Sequence, residues 1–187
     1  MGHSFGGLLG CGYLVQNNNQ SNIKAWIEVD GAHDYPLADR LERRMLIDTG
    51  TSEIAKGHYV SQWQNIVNYC KTHPIRSSVS IGRKTDDLAS EAENYVNINH
   101  TQTAVDLFSV SSPVTLGANL FKLYYTAAGI DFLQQLMVAS YTPQLNKITI
   151  PSLLIWGQYD FTVPMGCGYD ALSRLGSSYK KLVLMPH

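Results

Sequence analysis

Residues 150–164 read IPSLLIWGQYDFTVP. Ile150 to Trp156 is a near-continuous apolar run of strand length. Burial on both faces produces this pattern, and it belongs to a central strand of a parallel sheet. Gly157-Gln158-Tyr159-Asp160 then turns off the strand and puts Asp160 in the loop at its carboxyl end. In open α/β sheets, such loops build the functional site.

The segments around this strand fit the same architecture. Gly166 to Leu175 suits a helix, and Lys181 to Met185 a further strand. Upstream, Ile23 to Val29 is rich in β-branched and aromatic residues and reads as a strand ending in the loop Asp30 to Pro36. Leu8 to Val15 is apolar and reads as a short buried helix stopped by Gln16 to Gln20. Strands alternating with helices imply an α/β protein with a parallel sheet. Between the strands lies a helical block. Leu37 to Ile47 is charged on one side and apolar on the other. Val60, Trp63, Ile66, Val67 and Cys70 recur at three- and four-residue spacing, as on an amphipathic helix. Asp86 to Val96 reads as another helix. Pro113 to Ala128 and Phe132 to Val138 are apolar and aromatic, suited to packing or to lining a pocket. The block from 37 to 146 is too long for a crossover and reads as a helical cap inserted into a core formed by 1–36 and 147–187.

Composition narrows the function classes. The 187 residues are 44% hydrophobic and 16% charged, with a net charge of -1. That is ordinary for a globular protein, and no basic excess points to nucleic acid. No apolar run approaches the length of a membrane span. Cys11, Cys70 and Cys167 are odd in number and widely spaced, which suits buried free thiols better than disulfides or a zinc cluster. No His/carboxylate pair has metal-ligand spacing, and no glycine loop has the lysine of a phosphate cradle, so no metal or cofactor is expected. A cytoplasmic setting is weakly favoured, but no targeting signal assigns a compartment.

The chemistry begins at Gly2-His3-Ser4-Phe5-Gly6, which fits G-x-S-x-G. That motif places a serine on a strained strand-to-helix turn with its Oγ exposed, and the flanking glycines let the backbone pass without Cβ clashes. No strand is expected ahead of Ser4. As nucleophile, Ser4 needs the N–H of Phe5 as an oxyanion donor and a histidine base oriented by a carboxylate. Asp160 is the candidate carboxylate, and Asp30, which also follows a strand directly, is its rival. The competing readings are a glycine-rich loop with an incidental serine, and turn or capping aspartates. His187 follows Asp160 in the order a base requires. His33, in the loop after a strand, is only a minor candidate to border the site, His3 suits packing better than catalysis, and His58, His73 and His100 fall on the cap surface or packed within it. Asn99-His100-Thr101 fits a glycosylation sequon, a match common by chance.

GHSFGG, WIEVDGAHDYP, PSLLIWGQYDFTVP and KKLVLMPH, in that order, resemble the α/β-hydrolase superfamily. The capped serine hydrolases that include proline iminopeptidase-like enzymes are most similar. The resemblance implies a partial α/β-hydrolase fold with an inserted cap, Ser4 as nucleophile, Asp160 as triad acid and Phe5 as an oxyanion donor. It also implies further sheet strands ahead of the elbow and a histidine a few residues beyond Pro186. The chain is therefore expected to be a piece of such an enzyme, starting at the elbow.

The expected activity is cleavage of an ester, thioester or amide in a small molecule or short peptide through an acyl-enzyme. Trp63, Phe108, Leu120, Phe121, Tyr124 and Tyr125 suggest an apolar acyl pocket under the cap. Aminopeptidase chemistry would call on Asp86, Glu91 or Glu93 to hold a free amine. The alternative is a hydrolase-like fragment or binding module without catalysis, its sheet edges bare.

Overall fold

The computed structural model describes residues 1–16, 18–73, 79–96 and 127–186. It is a mixed α/β structure around a four-stranded sheet. The strands are β1 (Gly2–His3), β2 (Trp26–Val29), β3 (Ser152–Gly157) and β4 (Lys180–Met185). Their order is β1-β2-β3-β4 and every pairing is parallel. The reading of 150–156 as a central parallel strand holds: β3 pairs on both edges and buries Ser152, Leu154 and Trp156. The expectation of no strand ahead of the serine does not. Gly2 and His3 pair with Glu28 and Val29.

Six helices accompany the sheet among the described residues: α1 (Phe5–Leu14), α2 (Tyr35–Lys56), α3 (Val60–Thr72), α4 (Val79–Tyr95), α5 (Ala127–Leu136) and α6 (Met165–Arg174). α2 runs well past Ile47, through an Asp48-Thr49-Gly50-Thr51 stretch. Gly50 is there for packing. A Cβ on it would lie 2.6 Å from a Val67 methyl and 2.8 Å from the Trp63 ring, so its absence lets α3 approach. The helix starts where Asp34 caps it, its Oδ1 accepting from Leu37 N–H at 2.7 Å. It ends at Gly57, which takes the left-handed conformation (φ 79°) that glycine adopts without strain.

Two apolar cores result. One lies between the sheet, α1, α2 and α6, with Trp26, Leu154, Trp156, Cys11, Cys167 and Ala171 buried in it. The other joins Leu46, Trp63, Ile66, Leu88 and Ala92 of α2 to α4 with Phe161 from the loop after β3. Phe161 is fully buried and meets the Trp63 ring at 6.2 Å, so this loop is anchored in the helical block. Arg43 adds a polar tie, donating from Nη1 to the carbonyls of Cys70 and His73 at the end of α3. All three cysteines are buried and free.

Candidate active site

The serine turn is built from two close approaches. Gly2 passes beneath α1 so tightly that a Cβ would lie 2.3 Å from the carbonyl oxygen of Gly6 and 2.6 Å from the Trp26 ring. Gly7 lets α1 rest on the next loop, where a Cβ would meet Gly31 Cα at 2.5 Å. Gly6 differs from the sequence expectation. A Cβ there meets nothing within 4 Å among the described residues. Between these glycines Ser4 takes φ 52° and ψ -121°, outside the helical and extended regions. A side-chain-bearing residue holds such a conformation only when its surroundings impose it. Here Ser4 N–H donates to Val29 O at 3.0 Å, and Ser4 O accepts from Gly7 N–H at 2.8 Å and Ala32 N–H at 3.2 Å. Phe5 opens α1, so its N–H has no carbonyl a turn earlier to bond within the helix. The Phe5 ring meets Phe132 of α5 edge-on at 5.5 Å, which brings the helical block over the turn.

Asp160 lies two strands away, beyond the same carboxyl end of the sheet. Its Oδ1 accepts from Val163 N–H at 2.7 Å, and Trp156 Nε1–H donates to Val163 O at 2.8 Å, fixing the far end of the loop. Burial pushes the Asp160 carboxyl up to about 7, aided by the nearby Asp30 charge and opposed by bonds from Val163 and Thr162 N–H. Asp30 is at the end of β2, between the serine turn and the Asp160 loop. Its carboxyl is also raised, mainly by burial. Glu93 of α4 faces both aspartates and is pushed up to about 7 by burial and by the Asp160 charge. Glu93, with Asp86 and Glu91, is by sequence one of three acids open either to an amine-holding role or to a solvated helix face. The structure buries most of Glu93, where it accepts Phe161 N–H from the loop after β3. Glu91 bonds with Tyr95 on the exposed face of α4.

Of the described histidines, His3 departs from expectation. His33 does not border the site. It is fully buried, with Nε2 3.3 Å from Asp170 Oδ2 and Nδ1 3.9 Å from Glu28 Oε1. The loop after β2 bends inward there, and Tyr141 N–H donates to His33 O. His3 is exposed at the end of β1 rather than packed, and its charge acts on Asp30. His58 pairs with Glu53 on the surface, and His73 stacks on Tyr69. Trp63 is fully buried in the helical core. His100, His187, the sequon and the other expected pocket residues, Phe108, Leu120, Phe121, Tyr124 and Tyr125, lie outside the described residues.

Among the described residues no hydrogen bond joins Asp160 to a histidine, and no group of three or more His, Cys, Asp or Glu residues is placed to hold a metal ion. No described helix is long and apolar enough to cross a membrane. A groove of about 460 Å³ is lined by Trp26, Ser152 and Tyr179. It lies at the amino ends of β2–β4, the opposite end from where parallel sheets build ligand sites. No family model matches the chain, and no curated protein matches it.

Proposed function

We propose that this chain carries the nucleophile and acid of a serine hydrolase with an α/β-hydrolase core and a helical cap. Ser4 attacks the carbonyl of an ester, thioester or amide, and Phe5 N–H donates to the developing oxyanion. Asp160 orients the imidazole that takes the Ser4 proton and returns it to the leaving group. Water then hydrolyses the acyl-enzyme. The observation that carries this reading is the Ser4 backbone at φ 52°, held between a parallel strand and a helix N-terminus. Strained turns of this kind expose a nucleophile beside preorganised N–H donors. The contact of Phe132 with Phe5 supports a roof of helices over the acyl site.

The second reading is a hydrolase-like chain without turnover. Its specific support is Asp160 itself, raised to about 7 and, among the described residues, bonded to backbone N–H groups. Turnover of aryl acyl esters separates the two. The hydrolase reading expects a burst of phenol release equal to the enzyme, lost in Ser4→Ala. Equal turnover by wild type and Ser4→Ala rejects Ser4 as nucleophile.

A further inference from the structure

Three carboxylates converge on the end of β3 and the loop that follows it, and each accepts from a backbone N–H there. Asp160 Oδ1 takes Val163 N–H at 2.7 Å, within the loop. Glu93 reaches in from α4 and takes Phe161 N–H. Asp30 reaches in from β2, its Oδ1 accepting Gly157 N–H at 2.8 Å. The Asp30 contact has an unusual place in the sheet. Up to Val29 and Ile155 the β2–β3 ladder is made by backbone alone. Asp30 N–H still donates to Ile155 O at 3.0 Å, but the next rung, at Gly157, is closed by the Asp30 carboxylate. The side chain substitutes for a backbone carbonyl because Asp30 has turned away at φ 44°, a conformation that aspartate tolerates better than most residues. A Cβ built on Gly157 would lie 3.6 Å from Asp160 Cβ and 3.8 Å from Asp30 Oδ1, so both carboxylate-bearing side chains sit at van der Waals distance from one glycine.

We infer that Asp30 is a positioning residue for Asp160. Its carboxylate extends the β2–β3 ladder by one rung beyond the strands and fixes where the acid loop departs from the sheet. The role rests on the serine-hydrolase reading, in which Asp160 is the triad acid. Asp30 is adjacent to Ser4's own support, since Val29 O accepts Ser4 N–H and the next residue holds Gly157. One corner of β2 therefore sets the spacing between nucleophile and acid. The electrostatics agree with this placement, because the Asp30 charge is among the causes that raise Asp160. The other groups facing the pair are His3 from β1, Glu93 from α4 and Cys167 from α6. With like charges this close, removing one eases ionisation of the next.

The test is an NMR titration of this chain and of Asp30→Asn, reading the side-chain carboxyl carbon of Asp160 and the amide proton of Gly157. In the wild type, the Gly157 amide is expected to be protected from exchange and to shift as the Asp30 carboxyl titrates. In Asp30→Asn, which keeps the acceptor oxygen but not the charge, Asp160 is expected to titrate about one pH unit lower. The acid limb of fluorophosphonate labelling should move down by the same amount. A Gly157 amide that ignores pH in the wild type overturns the inference, as does an unmoved Asp160 midpoint in Asp30→Asn. The wild-type amide readout needs no variant to fold. Neither NMR readout needs turnover. Both effects in a chain that labels nowhere would refute the hydrolase reading and leave the clamp. Labelling at Ser4 with a pH-silent Gly157 would refute the clamp alone.

Discussion

The two glycines of the serine turn are predicted to respond to alanine in opposite directions. In Gly2→Ala the new methyl would lie 2.3 Å from Gly6 O, 2.6 Å from Gly6 C and 2.6 Å from the Trp26 ring. Two of those atoms are backbone, and the third belongs to a buried tryptophan wedged against Gly10, where a Cβ would meet the same ring at 2.0 Å. No neighbour can rotate away. Overpacking of this kind costs about 1–3 kcal/mol, and the upper end applies because backbone must move. Alanine stiffens the unfolded chain and returns about 0.4–1 kcal/mol, leaving a net loss of about 2 kcal/mol. For a chain of this size that lowers Tm by about 4–8 °C. Gly6 lies in the first turn of α1 with open space at its Cβ position and no positive φ. Gly6→Ala should gain about 0.5–1 kcal/mol from helix propensity alone. Denaturant melts followed by circular dichroism measure both. A Gly2→Ala midpoint equal to wild type, or a Gly6→Ala loss as large as that of Gly2→Ala, would refute the described packing of β1 beneath α1.

A second prediction concerns pH. Asp160 and Glu93 both have folded values raised to about 7, above those of the unfolded chain. The folded state therefore holds more protons between the ordinary carboxylate range and about pH 7, so the stability these groups contribute is present in acid and lost as pH rises through that window. Urea melts from pH 4 to 8 should show this decline, and Asp160→Asn should flatten it. A third prediction concerns Glu28, whose Oε1 is buried against Gly31, where a Cβ would lie 2.0 Å away. Gly31→Ala should cost about 2 kcal/mol or more by displacing that carboxylate. The cost should shrink by more than about 0.5 kcal/mol in a Glu28→Ala background, because the two sites share one space. Additive losses in the double-mutant cycle would contradict the contact.

The sheet was legible because its strands announce themselves locally. Ile150 to Trp156 is apolar on both faces, and Ser152, Leu154 and Trp156 are buried with Leu153 and Ile155 half-buried. The helices of the 37–146 block were legible by period, but their ends were not. α2 runs past the expected end at Ile47 to Lys56, with Gly50 as a packing contact inside it, while α4 begins at Val79, well before Asp86. β1 was invisible because two residues carry no periodicity, and they become a strand only through pairing with Glu28 and Val29. At the candidate site, Ser4 was singled out by its glycine spacing alone and Asp160 by the apolar strand that precedes its turn. The roles of Asp30 and Glu93 could not be found, since they depend on which backbone N–H each carboxylate meets across 127 residues of sequence in one case and from a separate helix in the other. His33 was only a minor candidate for the site, and the structure buries it. A histidine after a strand looks like a site residue until its loop folds inward onto Glu28 and Asp170.

The central claim is that Ser4 is an activated nucleophile. Incubating the chain with a fluorophosphonate and mapping the adduct by peptide mass spectrometry tests it most directly. The account predicts one phosphonyl adduct, on Ser4, absent from Ser4→Ala and slowed in Asp160→Asn. An unmodified Ser4, or labelling that persists in Ser4→Ala, would contradict it.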